Sequence, residues 1–278
     1  MSKEPTFDVE KFRIFEREGY SRVATGYESA TAQVSAQSNT FILDMARVSQ
    51  GARVLDVACG PGLLARSALE RGAAVVGVDF SLNMVELARA RNPDAEFHVG
   101  DAEELPTDDA QFDAVVCSLG ILHFPNPEAA MREAFRALAP GGAYVITCWM
   151  PPDKNPCFGL ILGSVQRYGS MELDLPEGPP LFRFGDPTEC RAALVDAGFV
   201  DVESQECPVV WHSESPESFL RELPESTARL GPILEHQQAD DRARVEAAIL
   251  EGVRSHTTSR GVELPAPILI SVGRKPST

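Results

Sequence analysis

The sequence predicts an α/β fold built around a mostly parallel sheet. Three observations carry that reading. Short strand-like runs alternate with helix-like runs from residue 53 to residue 149. The strand runs are almost continuously apolar, as strands covered by helices on both faces must be. A glycine loop, "ACGPGLLA" (58–65), joins the first apolar run to a helix, where such sheets hold their ligands.

Each element has its own signal. Residues 1–50 read as helical, with apolar positions at Phe12, Phe15, Val23, Phe41, Ile42, Met45, Ala46 and Val48, and a stop at Gly51. "RVLDVA" (53–58) is a strand, and "PGLLARSALERG" (61–72) is a helix stopped by Gly72. "AAVVGVD" (73–79) is a second strand. Ser81 then caps a helix that Pro93 breaks. "AEFHVG" (95–100) and "FDAVVCSLG" (112–120) are strands three and four. Asn126 caps a helix with Pro127 at its first position, and Gly141 and Gly142 turn the chain into a fifth strand, 143–149. Beyond Trp149 the chain becomes rich in Pro and Gly, and 151–185 reads as a loop-and-helix insertion that could serve as a lid. A helix over 187–199, a strand-like run over 200–211, polar helices over 215–260 and a last strand over 268–274 complete the chain. Pro265 and Pro267 predict that the last strand starts late or lies near a sheet edge.

Composition narrows the function. The 278 residues hold 25 Lys plus Arg against 41 Asp plus Glu, a formal charge of −16. A chain this acidic repels nucleic-acid phosphates, and it contains no run of three basic residues, so no nucleic-acid partner is expected. No apolar run is long enough for a membrane helix, and residues 1–20 carry no apolar signal segment, so a cytoplasmic protein without membrane insertion is expected. The six cysteines form no C-x-x-C pair and read as small buried hydrophobes, not as metal ligands.

Ligands of open α/β sheets sit beyond the carboxyl ends of the strands. Three carboxylates gather there: Asp56 at the first strand, Asp79 after the second and Asp101 after the third. Gly60, Gly62 and Ala65 fit G-x-G-x-x-A, a dinucleotide-type loop. Asp79, 17 residues beyond Gly62, suits a ribose diol. Asp101 can accept from an exocyclic amine while the Ala102 backbone reaches the neighbouring ring nitrogen, which suits adenine. Asp56 would repel a pyrophosphate but helps to hold a cation. The implied ligand is an adenosine with a positively charged, amino-acid-like end and no phosphates.

"VLDVACGPG", "VVGVDFSLNMVELAR", "GDAEELP", "FDAVVCSLGILHF" and "RALAPGGAYVIT", in this order over residues 50–150, resemble the class I S-adenosylmethionine-dependent methyltransferases. The nearest look is the small-molecule branch that includes ubiquinone- and menaquinone-type C-methyltransferases. The resemblance implies a Rossmann-like, mostly parallel seven-stranded sheet flanked by helices and ending in an antiparallel hairpin. The 200–211 and 268–274 strands would form that hairpin, with N-terminal helices before the core and a helical insertion after it. It implies S-adenosylmethionine as cofactor, with Gly60 and Gly62 against its methionine part. Asp79 would lie on the ribose, Phe80 and Met84 about the adenine, Asp101 and Ala102 at the adenine edge, and Ser118 by the methionine amine. Ala58 and Pro61 stand where the family often has Gly and Thr. Pro61 is expected to be tolerated as a first-turn helix residue.

Candidate catalytic residues are fewer. His123 sits just past the fourth strand, where a general base for the methyl acceptor would stand; packing beside the cofactor is the competing and favoured reading. Tyr20 and Tyr27 resemble the aromatics that cap the cofactor in related enzymes, with ordinary helix packing as the alternative. Trp149 lines the acceptor pocket or fills the core. Cys59 reads as structural. The chain is thus expected to hold an N-terminal helical cap (1–50), a cofactor-binding core (51–150) and an acceptor-binding region that completes the sheet (151–278). Its expected activity is methylation of a small organic acceptor. A binding protein of the same fold and a nicotinamide dehydrogenase are the rivals, and a homodimer stays open.

Overall fold

The computed structural model of the protein describes residues 7–27 and 31–278. Three helices open the chain: α1 (Val9–Tyr27), α2 (Thr31–Ala36) and α3 (Asn39–Met45). The core follows as β1 (Arg53–Val57), α4 (Leu63–Glu70), β2 (Ala74–Asp79), α5 (Leu82–Arg91), β3 (Glu96–Val99), β4 (Phe112–Cys117), α6 (Pro127–Ala137) and β5 (Leu138–Trp149). Then come α7 (Pro156–Tyr168), α8 (Pro187–Asp196), β6 (Val200–Cys207), β7 (Val210–Ser213), α9 (Pro216–Ser226), α10 (Leu230–Glu235), α11 (Ala239–Arg254), β8 (Thr257–Thr258), β9 (Gly261–Pro265) and β10 (Ile268–Arg274).

The main sheet has seven strands in the order β3-β2-β1-β4-β5-β10-β6. The first five are mutually parallel, and β10 runs antiparallel to both β5 and β6. This is the seven-stranded architecture with the terminal antiparallel hairpin that the motifs imply. Its central strands are buried from end to end: Val54, Leu55, Val115, Val116, Val145 and Ile146 are almost wholly excluded from water. Each such side chain contributes about 1.5–3 kcal/mol by leaving water, which is why these runs carry almost no polar residue. The edge strands differ. On β3, Glu96, His98 and Val99 are exposed, and β6 exposes Asp201, Glu203 and Glu206. Charge on an edge discourages pairing with another chain.

Four expectations need correction. First, β5 begins at Leu138, not at 143; Gly141 takes a left-handed φ of 81° inside a register shift against β4, so the glycines form a bulge instead of a turn. Second, the 200–211 run splits. β6 stays in the main sheet, while β7 leaves to pair with β9 in a separate three-stranded sheet, β7-β9-β8; Pro208 stands at the break and cannot donate to a ladder. Third, β10 is an inner strand, neither late nor at an edge. Pro267 lies just outside it and uses its carbonyl to accept from Met150 N. Fourth, Phe41 is exposed, whereas Ile42, Ala46 and Val48 are buried.

The loops after β1 and β4 flank the point where the strand order reverses between these two neighbours. That crevice is where an open α/β sheet binds its ligand. Helix α1 crosses above it, packed on α5 and α9.

Candidate functional site

The β1–α4 loop is shaped by its backbone. Ala58, Gly60 and Gly62 take φ of 56°, 52° and 80°. Gly62 is the N-cap of α4, and a Cβ there would lie 2.5 Å from Asn92 Nδ2 and 3.1 Å from Ala88 Cβ. Ala58 holds a left-handed conformation that costs a non-glycine residue of order 1–2 kcal/mol. This accounts for the glycine that resembling chains often carry at that position. Pro61 precedes the N-cap and is not within the first turn of α4, so its tolerance has a different cause from the expected one. Its carbonyl accepts from Arg91 Nη1 at 2.6 Å.

The β4 loop mirrors this. Leu119 has φ 54°, and its N–H donates to Thr147 Oγ1 at 2.9 Å. Gly120 lies so close to the first loop that a Cβ would meet Ala58 Cβ at 2.6 Å. The two loops therefore wall one cavity of about 310 Å³.

Ten of the residues singled out in the sequence line that cavity: Tyr20, Ala58, Gly60, Asp79, Phe80, Met84, Asp101, Ala102, Ser118 and His123. Asp56 and Gly62 do not. Asp56 is enclosed in β1 beneath the loop, and Gly62 turns its carbonyl to Asn92 Nδ2 at 3.0 Å. The sequence missed Arg13 and Arg17 of α1, and Val99 and Phe124, which also line the cavity, as does Leu119 just past the fourth strand. Arg13, Arg17 and Tyr20 follow the 3–4 spacing of one helix face, the signal that would have found them. Tyr27 closes α1, but its side chain lies outside the described residues.

Asp79 holds the loops together. Its two oxygens accept from Gly60 N and Ser81 N, each at 2.9 Å. Burial pushes its carboxyl up to about 6, with the Ser81 and Gly60 N–H groups pulling the other way. A carboxylate has about four acceptor positions, so capacity toward the cavity remains. Burial, then the charge of Asp79, pushes Asp56 up to about 8, and its Oδ2 has no partner. Ser118 Oγ is likewise buried and unpartnered, and Ser118 is one of the residues lining the cavity. Asp101 accepts from Glu103 N at 2.9 Å and sits 3.4 Å from Arg13 Nη2.

Above the cavity, Tyr20 Oη lies 2.7 Å from His123 Nε2, and the tyrosine ring packs edge-on against the imidazole at 4.8 Å. His123 Nδ1 lies 2.9 Å from Glu16 Oε2. Trp149 does not reach the cavity; its ring packs on Phe158 in the core. Cys59 is buried within the loop with its thiol pushed up by burial, and among the described residues no group of His, Cys, Asp and Glu could hold a metal.

Residues 55–146 match the family model described as "Methyltransferase domain". These residues, about a third of the chain, are similar to a methyltransferase domain. The chain is 38% identical over 116 residues to the demethylmenaquinone methyltransferase of Renibacterium salmoninarum, covering 42% of this chain and 49% of that protein. It is 42% identical over 125 residues to the demethylmenaquinone methyltransferase of Thermus thermophilus, covering 43% of this chain and 56% of that one. The chain thus spans about half the length of these relatives. Among solved structures, it resembles Haemonchus contortus phospholethanolamine N-methyltransferase 2, solved with phosphomonomethylethanolamine and S-adenosylhomocysteine. That match has a TM-score of 0.54 at 21% identity and covers 94% of this chain and 60% of that one. At that identity the likeness concerns the fold, which is the class I methyltransferase fold. The strand order of the main sheet agrees with it.

Proposed function

We propose that the methyltransferase domain binds S-adenosylmethionine in the cavity between the β1 and β4 loops and methylates a small organic acceptor. The observation that carries this is the cavity itself. It gathers an apolar pair (Phe80, Met84), two carboxylates (Asp79, Asp101) and Ser118, whose buried hydroxyl has no partner, around one volume of about 310 Å³. The residues fit the cofactor part by part. Phe80 and Met84 supply apolar faces for adenine, and Asp101 with the Ala102 backbone serves the base edge. Asp79 takes the ribose hydroxyls, and the Ala58–Gly62 backbone and Ser118 Oγ meet the amino-acid end. Asp56 lies beneath the loop with its carboxyl pushed up to about 8, and a cationic ligand above it would draw that carboxyl toward its ionised form. S-adenosylhomocysteine in the Haemonchus contortus enzyme and the quinone-type relatives support the cofactor and the small acceptor.

The bound cofactor supplies an already activated methyl group on a sulfonium. The protein's own residues need only orient, exclude water and move a proton. The Ala58 and Leu119 turns fix the walls, and α1 covers the mouth. Tyr20, hydrogen-bonded to His123, is the group that takes a proton from an acceptor that must lose one. Helices 1–50 and the region 151–278 would enclose the acceptor, with 151–185 as a lid. No helix of the described residues is long and apolar enough to cross a membrane, and we place the activity in the cytoplasm.

The test is incubation of the full chain with S-adenosylmethionine carrying an isotopic methyl label and a panel of quinols, phenols, amines and carboxylic acids. Mass spectrometry should find one labelled methyl on at least one acceptor, with stoichiometric S-adenosylhomocysteine. Cofactor binding with no methylated product across the panel would favour a binding protein of the same fold.

A further inference from the structure

One buried carboxylate joins three separate parts of the chain. Glu16, on α1, is 0% exposed. Its Oε2 lies 2.9 Å from His123 Nδ1, and its Oε1 accepts from Arg229 Nε at 2.8 Å. Glu16 and Tyr20 are four residues apart and so share a helix face. His123 therefore sits between them, with Nδ1 on Glu16 and Nε2 on Tyr20. Arg229, just before α10, is held over the rings of Phe12 and Phe15 at 5.0 and 5.4 Å and reaches the Pro176 carbonyl at 3.5 Å. The order is Arg229–Glu16–His123–Tyr20, and the last two groups line the cavity.

Burial alone would neutralise Glu16. The charge of His123 when it is protonated, the standing charge of Arg229 and the hydrogen bonds of both overcome that and hold its carboxyl below the usual range. An ionised carboxylate accepts hydrogen bonds and donates none. So the proton between Glu16 and His123 belongs to Nδ1. In the neutral imidazole that leaves Nε2 as an acceptor, and the Tyr20 hydroxyl must be the donor. The direction of every bond in the row follows from one charge.

We propose that Glu16 is the positioning residue of a proton relay. It fixes the Nδ1–H tautomer of His123, so that Tyr20 can pass its phenolic proton to Nε2 and act as the base toward the methyl acceptor. The balance is simple. Tyr20 gives its proton to His123, which becomes an imidazolium flanked by the Glu16 carboxylate. The phenolate then takes the acceptor's proton as the acceptor's electron pair bonds to the incoming methyl. The histidine proton is released to water after turnover. Arg229 keeps Glu16 ionised and ties the relay to the segment around Pro176. This rests on the methyl-transfer reading above, but its main readout does not require turnover.

The experiment uses the full chain labelled with ¹⁵N-histidine and long-range ¹H–¹⁵N correlation at pH 8. The chain has five histidines, so His123→Asn assigns the signal. Wild type should show His123 with its proton on Nδ1. Glu16→Gln presents an amide to the same nitrogen and should shift His123 toward the Nε2–H form, with a hundredfold or larger drop in kcat and cofactor affinity within twofold. A merely structural Glu16 would move neither the tautomer nor kcat selectively. An Nε2–H form in wild type overturns the proposal without any variant being needed. An unchanged tautomer in a folded Glu16→Gln overturns it too. If wild type methylates nothing but the tautomer responds as stated, the positioning of His123 by Glu16 stands and the methyl-transfer reading on which the relay rests fails.

Discussion

Asp56→Asn gives a prediction whose size follows from the structure. Asp56 is shut inside β1, its Oδ2 has no partner, and burial followed by repulsion from Asp79 pushes its carboxyl from 3.8 to about 8. Asp79, at about 6, ionises first, so the repulsion is felt at Asp56. The unfolded chain loses this proton near its ordinary value, whereas the folded chain keeps it until about 8. Between those values the folded state binds more protons. Its stability is fully present below the unfolded value and falls as pH rises through the window. From pH 6, the Asp79 value, to pH 8, one such group lowers stability by about 1.4 kcal/mol per pH unit at first and half that at the end, or roughly 2 kcal/mol in all. Asparagine preserves the shape and an acceptor for the Ala65 N–H but carries no charge. Urea unfolding at pH 6, 7 and 8 should show wild type losing about that amount while Asp56→Asn stays nearly level. Parallel curves for the two proteins would refute the reasoning, because the titrating group would then lie elsewhere.

Further outcomes follow from the same geometry. Asp79→Ala leaves Gly60 N and Ser81 N without their acceptor and removes the ribose partner, so S-adenosylmethionine should bind more weakly by about 1–3 kcal/mol in calorimetry. Gly62→Ala combines a left-handed backbone with a crowded Cβ and should cost about 2–4 kcal/mol in denaturant unfolding. Tyr20→Phe keeps the ring but removes the hydroxyl that meets His123; turnover should fall by about 10²–10⁴-fold while cofactor affinity changes less than twofold. If 151–185 is a lid, proteolytic cleavage within it should slow when cofactor and acceptor are both bound, and equal cleavage with and without them would count against a lid.

The sheet was readable because its signals are local. Val54–Val57, interrupted only by Asp56, and Val75–Val78 and Val115–Cys117, closed by Asp79 and Ser118, are short and largely apolar runs, and helix caps such as Ser81 and Asn126 sit where the pattern puts them. The errors arose where tertiary pairing overrides the local pattern. Gly141–Gly142 looks like a turn but is a bulge, because β5 has partners on both sides. Val210–Ser213 looks like a continuation of β6, yet it pairs with β9 more than forty residues later. The floor of the candidate site was legible for the same local reason: its residues cluster at strand ends. The roof was not. Glu16 and Arg229 are 213 residues apart, and nothing in either neighbourhood announces that a fold will bring them to one imidazole. Arg13 and Arg17 share a helical face with Tyr20, but that face had no visible partner until β2, β3 and β4 were placed beneath it.

The most direct measurement is calorimetric titration of the purified, ligand-free chain with S-adenosylmethionine, S-adenosylhomocysteine and NAD in parallel. Micromolar binding of the two sulfur compounds at one site, abolished or much weakened in Asp79→Ala, with no heat from NAD, is the predicted result. Binding of NAD alone would contradict it, and would make the β1–α4 loop a pyrophosphate cradle.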